Sequence, residues 1–425
     1  PAPLPAPGDG SVRWSAPVVL EEGKWSGFLD FEFVLNPLVK VKGIAKMILE
    51  SAGGERPFRL LLEPVNFDPR EVPEAVELSF PAGFAPSLAS KAGLYHTLGW
   101  PCLTNPVKDM LLSDEAFLGN VREVLAERKR KLRAALADPD WRFLFMMFSE
   151  VDRVQHALWR HVDGRSPLHD AATAAKYGPA IEEFYVAMDG EVGAIVEACG
   201  PDTAVLVMSD HGFAPFRRGV NLNTWLLREK FQRNKGGVAG TGDEKDVTQL
   251  FAETDFFARI DWEESQAYAV GLGAIYVNLE GREKQGSVAP ADYDAVCAAI
   301  RERLLALRDG DGSRVVREVY LGKDLYRGPT AAKFAPDLVV GFERGYRVSW
   351  QTTLGGGGSE VIEDNRFPWS GDHCSVDPSL VPGILATSFP LGAGEPSVMD
   401  VGPTVLDLLG VPRPAEWDGK SLVGK

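Results

Sequence analysis

Hydrophobic and polar positions fall into two regimes along the chain. From residue 11 to about 75, short apolar runs alternate with Gly, Pro and Asn: Val18-Val-Leu20, Phe28-Leu-Asp-Phe-Glu-Phe-Val34, Lys42-Gly-Ile-Ala-Lys-Met-Ile-Leu49 and Phe58-Arg-Leu-Leu-Leu62. Period-two alternation between such breaks predicts strands, here a small antiparallel unit. Residues 81–106 form a Pro/Gly-punctuated connector that holds His96. Beyond it the period lengthens. Residues 113–137 predict a long charged helix with Ser113 as N-cap and Glu115 in the first turn, its basic run 128–133 a solvated face.

Trp141-Arg-Phe-Leu-Phe-Met-Met-Phe148 is a nearly continuous apolar run of buried-strand length. It leads into Ser149-Glu-Val-Asp-Arg-Val-Gln-His156, which opens a helix. Residues 177–199 are a second amphipathic helix stopped by Gly200-Pro201, and Val205-Leu-Val-Met208 is a strand delivering Asp210 and His211. Strand, helix, helix, strand is the order of a doubly wound, mostly parallel α/β sheet flanked by helices. Further on, residues 221–227 predict a helix capped by Asn221 or Asn223, and 235–245 a Gly-rich polar loop. Strands are predicted at 268–279, 315–320, 337–341 and 381–387, and helices at 290–307 and 398–409. The four glycines 355–358 read as a lid or as a plain surface loop. The expected organisation is a Pro-rich linker (1–10), a β-rich accessory unit (11–75) and a catalytic core (76–425).

Length and charge narrow the function. A chain of 425 residues can bury one large α/β core plus an accessory unit. With 45 Lys plus Arg against 60 Asp plus Glu, the net charge is −15. That excludes a nucleic acid polymer or an anionic membrane as a bulk electrostatic partner, and leaves a small anionic substrate held by metal ions. Cys102, Cys199, Cys297 and Cys374 form no CxxC pattern and do not fix the redox compartment. No apolar run approaches the roughly 20 residues of a membrane span. The expectation is a soluble protein with a lean to the cell envelope.

The chemistry gathers on histidines and carboxylates. Of six histidines, His156, His211 and His373 lie in Asp-xxx-His, Asp-His and Gly-Asp-His settings at the borders of predicted core strands. Asp152 and His156, at i and i+4, share a helix face with Cβ atoms about 6 Å apart. Asp210 ends a predicted strand, at the carboxyl edge where open α/β sheets place their sites. Each piece alone has a bland reading: His156 as a core or surface histidine, Asp210-His211 as a structural pair, Asp372 in place of His373 as the relevant side chain. Together, Asp152, His156, Asp210, His211 and His373 exceed one closed structural site. Two divalent ions account for the number, zinc first, with manganese or iron as alternatives, and such pairs serve in-line displacement at phosphorus.

Phe148-Ser-Glu-Val-Asp-Arg-Val-Gln-His156, Met208-Ser-Asp-His-Gly-Phe-Ala-Pro215 and Trp369-Ser-Gly-Asp-His373 resemble three metal motifs of the alkaline phosphatase superfamily. The closest branch is the type I phosphodiesterase/nucleotide pyrophosphatase-like group of predicted phosphohydrolases and phosphomutases. Asn221-Leu-Asn-Thr-Trp225, Glu280-Gly-Arg-Glu283 and the stretch 400–410 resemble it too, so the likeness runs from about residue 75 onward. It implies that Asp152, His156 and His373 hold one ion and Asp210 and His211 the second. It further implies a Thr or Ser nucleophile at a helix N-terminus and an Asp after the first core strand, both upstream of these motifs. Before Phe148 only Thr104, in Cys102-Leu-Thr-Asn-Pro106, imitates that nucleophile. The expectation is therefore a phosphoester hydrolase whose first core strand and nucleophile lie in an N-terminal portion of the same protein, outside this chain. The Pro-rich start points the same way. The alternatives are a phosphomutase or sulfatase of the same fold, or a non-catalytic metal-binding protein that has lost its nucleophile.

Overall fold

Near the N-terminus the alternating residues do pair. In the computed structural model, which describes residues 12–13, 18–36, 39–235 and 260–424, Leu29–Asn36 runs antiparallel to Val39–Ala45 with Phe31 opposite Gly43. Val12–Arg13 and Asn66–Phe67 flank them. A Cβ at Gly43 would stand 2.6 Å from Val65 Cγ1, so the close crossing of that chain requires glycine. The strand predicted at 42–49 is two. It breaks at Lys46, whose backbone N–H donates to Glu63 (2.8 Å), and Met47–Ser51 then pairs with Arg59–Leu62. Residues 18–20 are not strand. The Pro-rich linker and residues 236–245 of the Gly-rich loop lie outside the described residues.

This β-rich part is tied to the helices by polar contacts as well as packing. Trp25 Nε1 donates to Ala116 O (2.8 Å). His96 is buried between two buried carboxylates, Glu127 (2.7 Å) on the long helix and Glu63 (3.2 Å) beside the sheet. Burial works against a charge on His96, but the two carboxylates outweigh it and hold its pKa above the ordinary imidazole value.

The helix Asp114–Leu136 begins where its cap predicts, with Ser113 accepting from Ala116 N. Its Phe117, Val121 and Val124 pack with Val154, Leu158 and Phe184 in one apolar core. A second core joins Val220, Leu222, Trp225 and Leu226 to Ile275, Ile300, Leu304, Val340 and Phe342. There Val316–Leu321, Leu338–Phe342, Ala274–Val277 and Ala267–Ala269 form one antiparallel sheet. The strand predicted at 268–279 is a hairpin, turned at Gly271 and Gly273, both with positive φ. Between the cores Ala214–Val220 pairs with Gly345–Val348 in parallel and with Ile362–Asp364 and Gly371–Asp372 antiparallel. Leu206–Met208 pairs with Leu385–Thr387.

The architecture is thus mixed α/β, but the expected doubly wound parallel sheet is not what the described ladders form: one pair alone is parallel. The reason lies in residues 141–148. They are extended, but make no backbone–backbone hydrogen bond among the described residues. Leu144, Met146 and Phe148 are half-buried while Phe143, Phe145 and Met147 are 56%, 71% and 56% exposed. A strand needs a neighbour for its N–H and C=O groups as well as an apolar pattern. The glycine loop 355–358 is fastened to the helix Leu222–Arg228: Asn223 Nδ2 donates to Gly356 O (2.9 Å) and Thr224 Oγ1 to Gly358 O (2.8 Å). Asn221 and Asn223 serve as such ties and not as side-chain caps. No described helix is long and apolar enough to cross a membrane.

Replacing His96 by Leu takes one partner from each of two buried carboxylates, leaving Glu127 with Lys131 and Glu63 with the Lys46 N–H, and the expected cost is about 3 kcal/mol in urea unfolding at pH 6. Because the folded pKa is raised, the imidazolium's contribution is complete below about 6.5 and is lost as pH rises through the folded value. The gap between wild type and His96→Leu should therefore narrow on the alkaline side.

Candidate metal centre

Three segments bring side chains to one place. The first is the helix Glu150–Leu158, which follows the unpaired run directly. One helical turn sets Asp152 Oδ1 3.4 Å from His156 Nε2. His156 Nδ1 lies 2.8 Å from Gly371 O, and a carbonyl only accepts, so Nδ1 donates there and Nε2 is the ring atom that faces Asp152. Ser149 does not cap this helix; its hydroxyl accepts from Arg128 instead.

The second segment is the turn after Leu206–Met208. His211 Nδ1 meets Gly212 O (3.0 Å), and Nε2 stands 3.9 Å from Asp152 Oδ1 and 3.5 Å from Asp210 Oδ1. Gly212 is required because a Cβ there would meet Pro382 O at 2.8 Å. The third segment is the loop after Gly371–Asp372. His373 Nε2 is also 3.9 Å from Asp152 Oδ1, and its ring stacks on His211 with centroids 3.4 Å apart and planes 10° from parallel. Phe213 packs edge-on against both His156 (4.7 Å) and His373 (5.4 Å).

Asp152, His156, His211 and His373 therefore converge on one carboxylate oxygen. Asp210 reaches the group only through His211, and its side chain is 76% exposed. The ligand atoms of Asp152, His211 and His373 all lie within 4.8 Å of one another. Burial works against a charge on Asp152, but the His156 ring beside it outweighs this and lowers its pKa. Burial and the adjacent His211 push His373 down to about 4, so it is neutral near pH 7. Imidazoles that turn their Nε2 atoms toward a carboxylate are the donor set of a zinc-type ion, and these residues fit one.

Other histidines are engaged elsewhere: His161 with Asp114 (2.9 Å), His169 with Arg160 O (2.9 Å), and His96 in its Glu pair. Thr104 is buried, with its hydroxyl accepting from Trp100 Nε1 (2.9 Å), and is not presented to the cluster as a nucleophile. Sequence reasoning passed over Trp369, stacked on His156 at 3.9 Å, and Arg153, whose guanidinium pairs with Asp152 Oδ2 (2.8 Å) and lies over Trp100. Both sit inside the motifs, yet no spacing rule signals a ring laid on a ligand.

A carboxylate ringed by imidazoles, set between the two cores of an α/β chain, defines a candidate metal-ion centre. The family model for type I phosphodiesterase / nucleotide pyrophosphatase matches residues 94–359, well over half the chain, and the protein belongs to that family and thereby to the alkaline phosphatase superfamily. The match takes in Asp152, His156, Asp210 and His211 and ends before His373. No curated protein and no solved structure matches the chain.

The depressed His373 value fixes a sign. The unfolded chain takes up that proton near 6.5 and the folded chain near 4, so stability is intact above about 6.5 and declines as pH falls toward 4. Melting of metal-free protein between pH 7 and 4.5 should show this decline, and His373→Gln should flatten it.

Proposed function

We propose that the protein is a metal-dependent phosphoric ester hydrolase of the phosphodiesterase/nucleotide pyrophosphatase type, acting on a small phosphate ester with two divalent ions, zinc first and manganese or iron as alternatives. Asp152, His156 and His373 are assigned to one ion, Asp210 and His211 to the other. The observation that carries the reading is the turning of three imidazole Nε2 atoms, two of them fixed by Nδ1 contacts to carbonyls, toward Asp152 Oδ1 in a chain of a phosphoesterase family.

Bound there, divalent ions would supply neutralisation of phosphoryl oxygens and a lowered pKa for a hydroxyl or water. The chain's own residues do the rest. Asp152 offers the charge on which the imidazoles converge. Phe213 and Trp369 pack against the rings and exclude water from their inner faces. Arg153 holds Asp152 Oδ2, leaving Oδ1 toward the cluster.

The nucleophile assigned to this reaction is a Thr or Ser on an N-terminal segment of the same protein, carried with an Asp at the end of a core strand. Support comes from the two runs that end at the site. Residues 141–148 lack a ladder partner and Leu206–Met208 has one on a single side, among the described residues. Strands of that N-terminal segment would supply the neighbours these runs lack. On this reading residues 11–75 are an accessory unit and 76–425 the C-terminal part of the catalytic core.

The test is turnover of a synthetic phosphodiester and a phosphomonoester by the full-length protein. Chelation should abolish it and zinc restore it; unchanged turnover after chelation overturns the proposal. His156→Ala and His373→Ala should each cost metal occupancy and more rate than the roughly 10–100-fold typical of losing an outer hydrogen-bond partner. A His373→Ala protein with full metal and full rate would remove that assignment. Metal-replete protein inert on both substrates would leave the non-catalytic alternative.

A further inference from the structure

Asp372 is 1% exposed, and its carboxylate is bonded to the backbone that carries His373 and to the indole that lies on His156. Its Oδ1 accepts from the backbone N–H of His373 and of Cys374, each at 2.8 Å. Its Oδ2 accepts from Trp369 Nε1 (2.8 Å) and lies 2.7 Å from Nε of Arg347, itself buried beneath Trp350 and Phe216. Trp369 in turn lies flat on His156, and the neighbouring Gly371 O receives the His156 Nδ1 proton. Asp372 also pairs with Ala214, which fixes the loop against the segment that carries His211.

Asp372, His373 and Cys374 bring donor atoms close enough together for an ion of their own. Their chemistry argues against it. Both Asp372 oxygens are already occupied, and burial pushes the Cys374 thiol up to about 12, so it is not a thiolate. Burial alone would also raise the Asp372 carboxyl, but Arg347 and the donors around it outweigh this and hold it at about 2. Both oxygens of the carboxylate are thus spent on its neighbours.

We propose that Asp372 is the positioning residue of the candidate centre: its buried carboxylate sets His373 through the backbone and the His156 ring through Trp369, so metal affinity depends on a residue that binds no metal. The inference rests on the metal-centre reading. Its rival is that Asp372–Arg347 is a buried ion pair serving stability alone.

The two differ in what each variant loses. Zinc affinity of the full chain is measured by competition with a chromophoric chelator, alongside melting of the metal-free protein. Asp372→Asn combined with Arg347→Met removes the carboxylate without stranding a guanidinium. Trp369→Phe keeps a ring over His156 but removes the indole donor. Ile300→Val, in the distant core, lowers stability alone. The double variant should bind zinc about 10–100-fold more weakly, Trp369→Phe should be weaker by a smaller factor, and Ile300→Val should melt earlier at unchanged affinity. Wild-type affinity in the folded double variant overturns the inference. Should that variant not fold, wild-type affinity in Trp369→Phe does so. A wild-type chain that binds no zinc overturns the metal-centre reading and this inference with it.

Discussion

The approach of Gly371 to the helix Glu150–Leu158 is the contact on which the rest of the centre depends. A Cβ at Gly371 would stand 2.5 Å from Gln155 O and 2.9 Å from Trp159 Cβ, so the two backbones meet at a distance that glycine alone permits. Around that point Ser370 N donates to His156 O, Ser370 Oγ accepts from Arg160 N, and Gly371 O faces His156 Nδ1. A helix of the first core and the strand that leads to His373 are locked there, and the imidazoles inherit their spacing from the lock.

Electrostatics follow from the same closeness. His373, stacked on His211, is kept neutral by burial and by that neighbour. Asp152 faces all three rings and the exposed Asp210 meets only His211, while Asp372 is paired with Arg347. One carboxylate is thus directed into the centre and the other into its support. A chain of net charge −15 can in this way present a group of lone pairs without an unscreened cluster of acids.

Much of this was legible in the residues. Ser113 capped its helix, Gly200 ended the one before Leu206–Met208, and the three motifs named the side chains that converge. Element type was clear wherever a period ran unbroken. What escaped depended on distant partners. Residues 42–49 read as one strand because nothing local reveals that Glu63 will draw off Lys46. Residues 141–148 read as a buried strand because periodicity reports a side-chain pattern, not the presence of a neighbour. The glycines 355–358 read as freedom, but a Cβ at Gly358 would stand 2.2 Å from Asn221 Nδ2, so their absence of side chains serves close packing. The roles of Trp369, Phe213 and Asp372 are tertiary throughout.

The unpaired run 141–148 has a consequence for the order in which the protein assembles. Helices such as Asp114–Leu136 satisfy their own backbone groups as they form, whereas this run makes no backbone–backbone hydrogen bond among the described residues and carries the exposed side chains of Phe143, Phe145 and Met147. Such an edge accepts any extended segment of suitable pattern, including the same run of another copy. Pairing within one molecule and self-association would therefore compete for one surface. The concentration of chains during synthesis, as much as any stability difference, decides which of them is reached first.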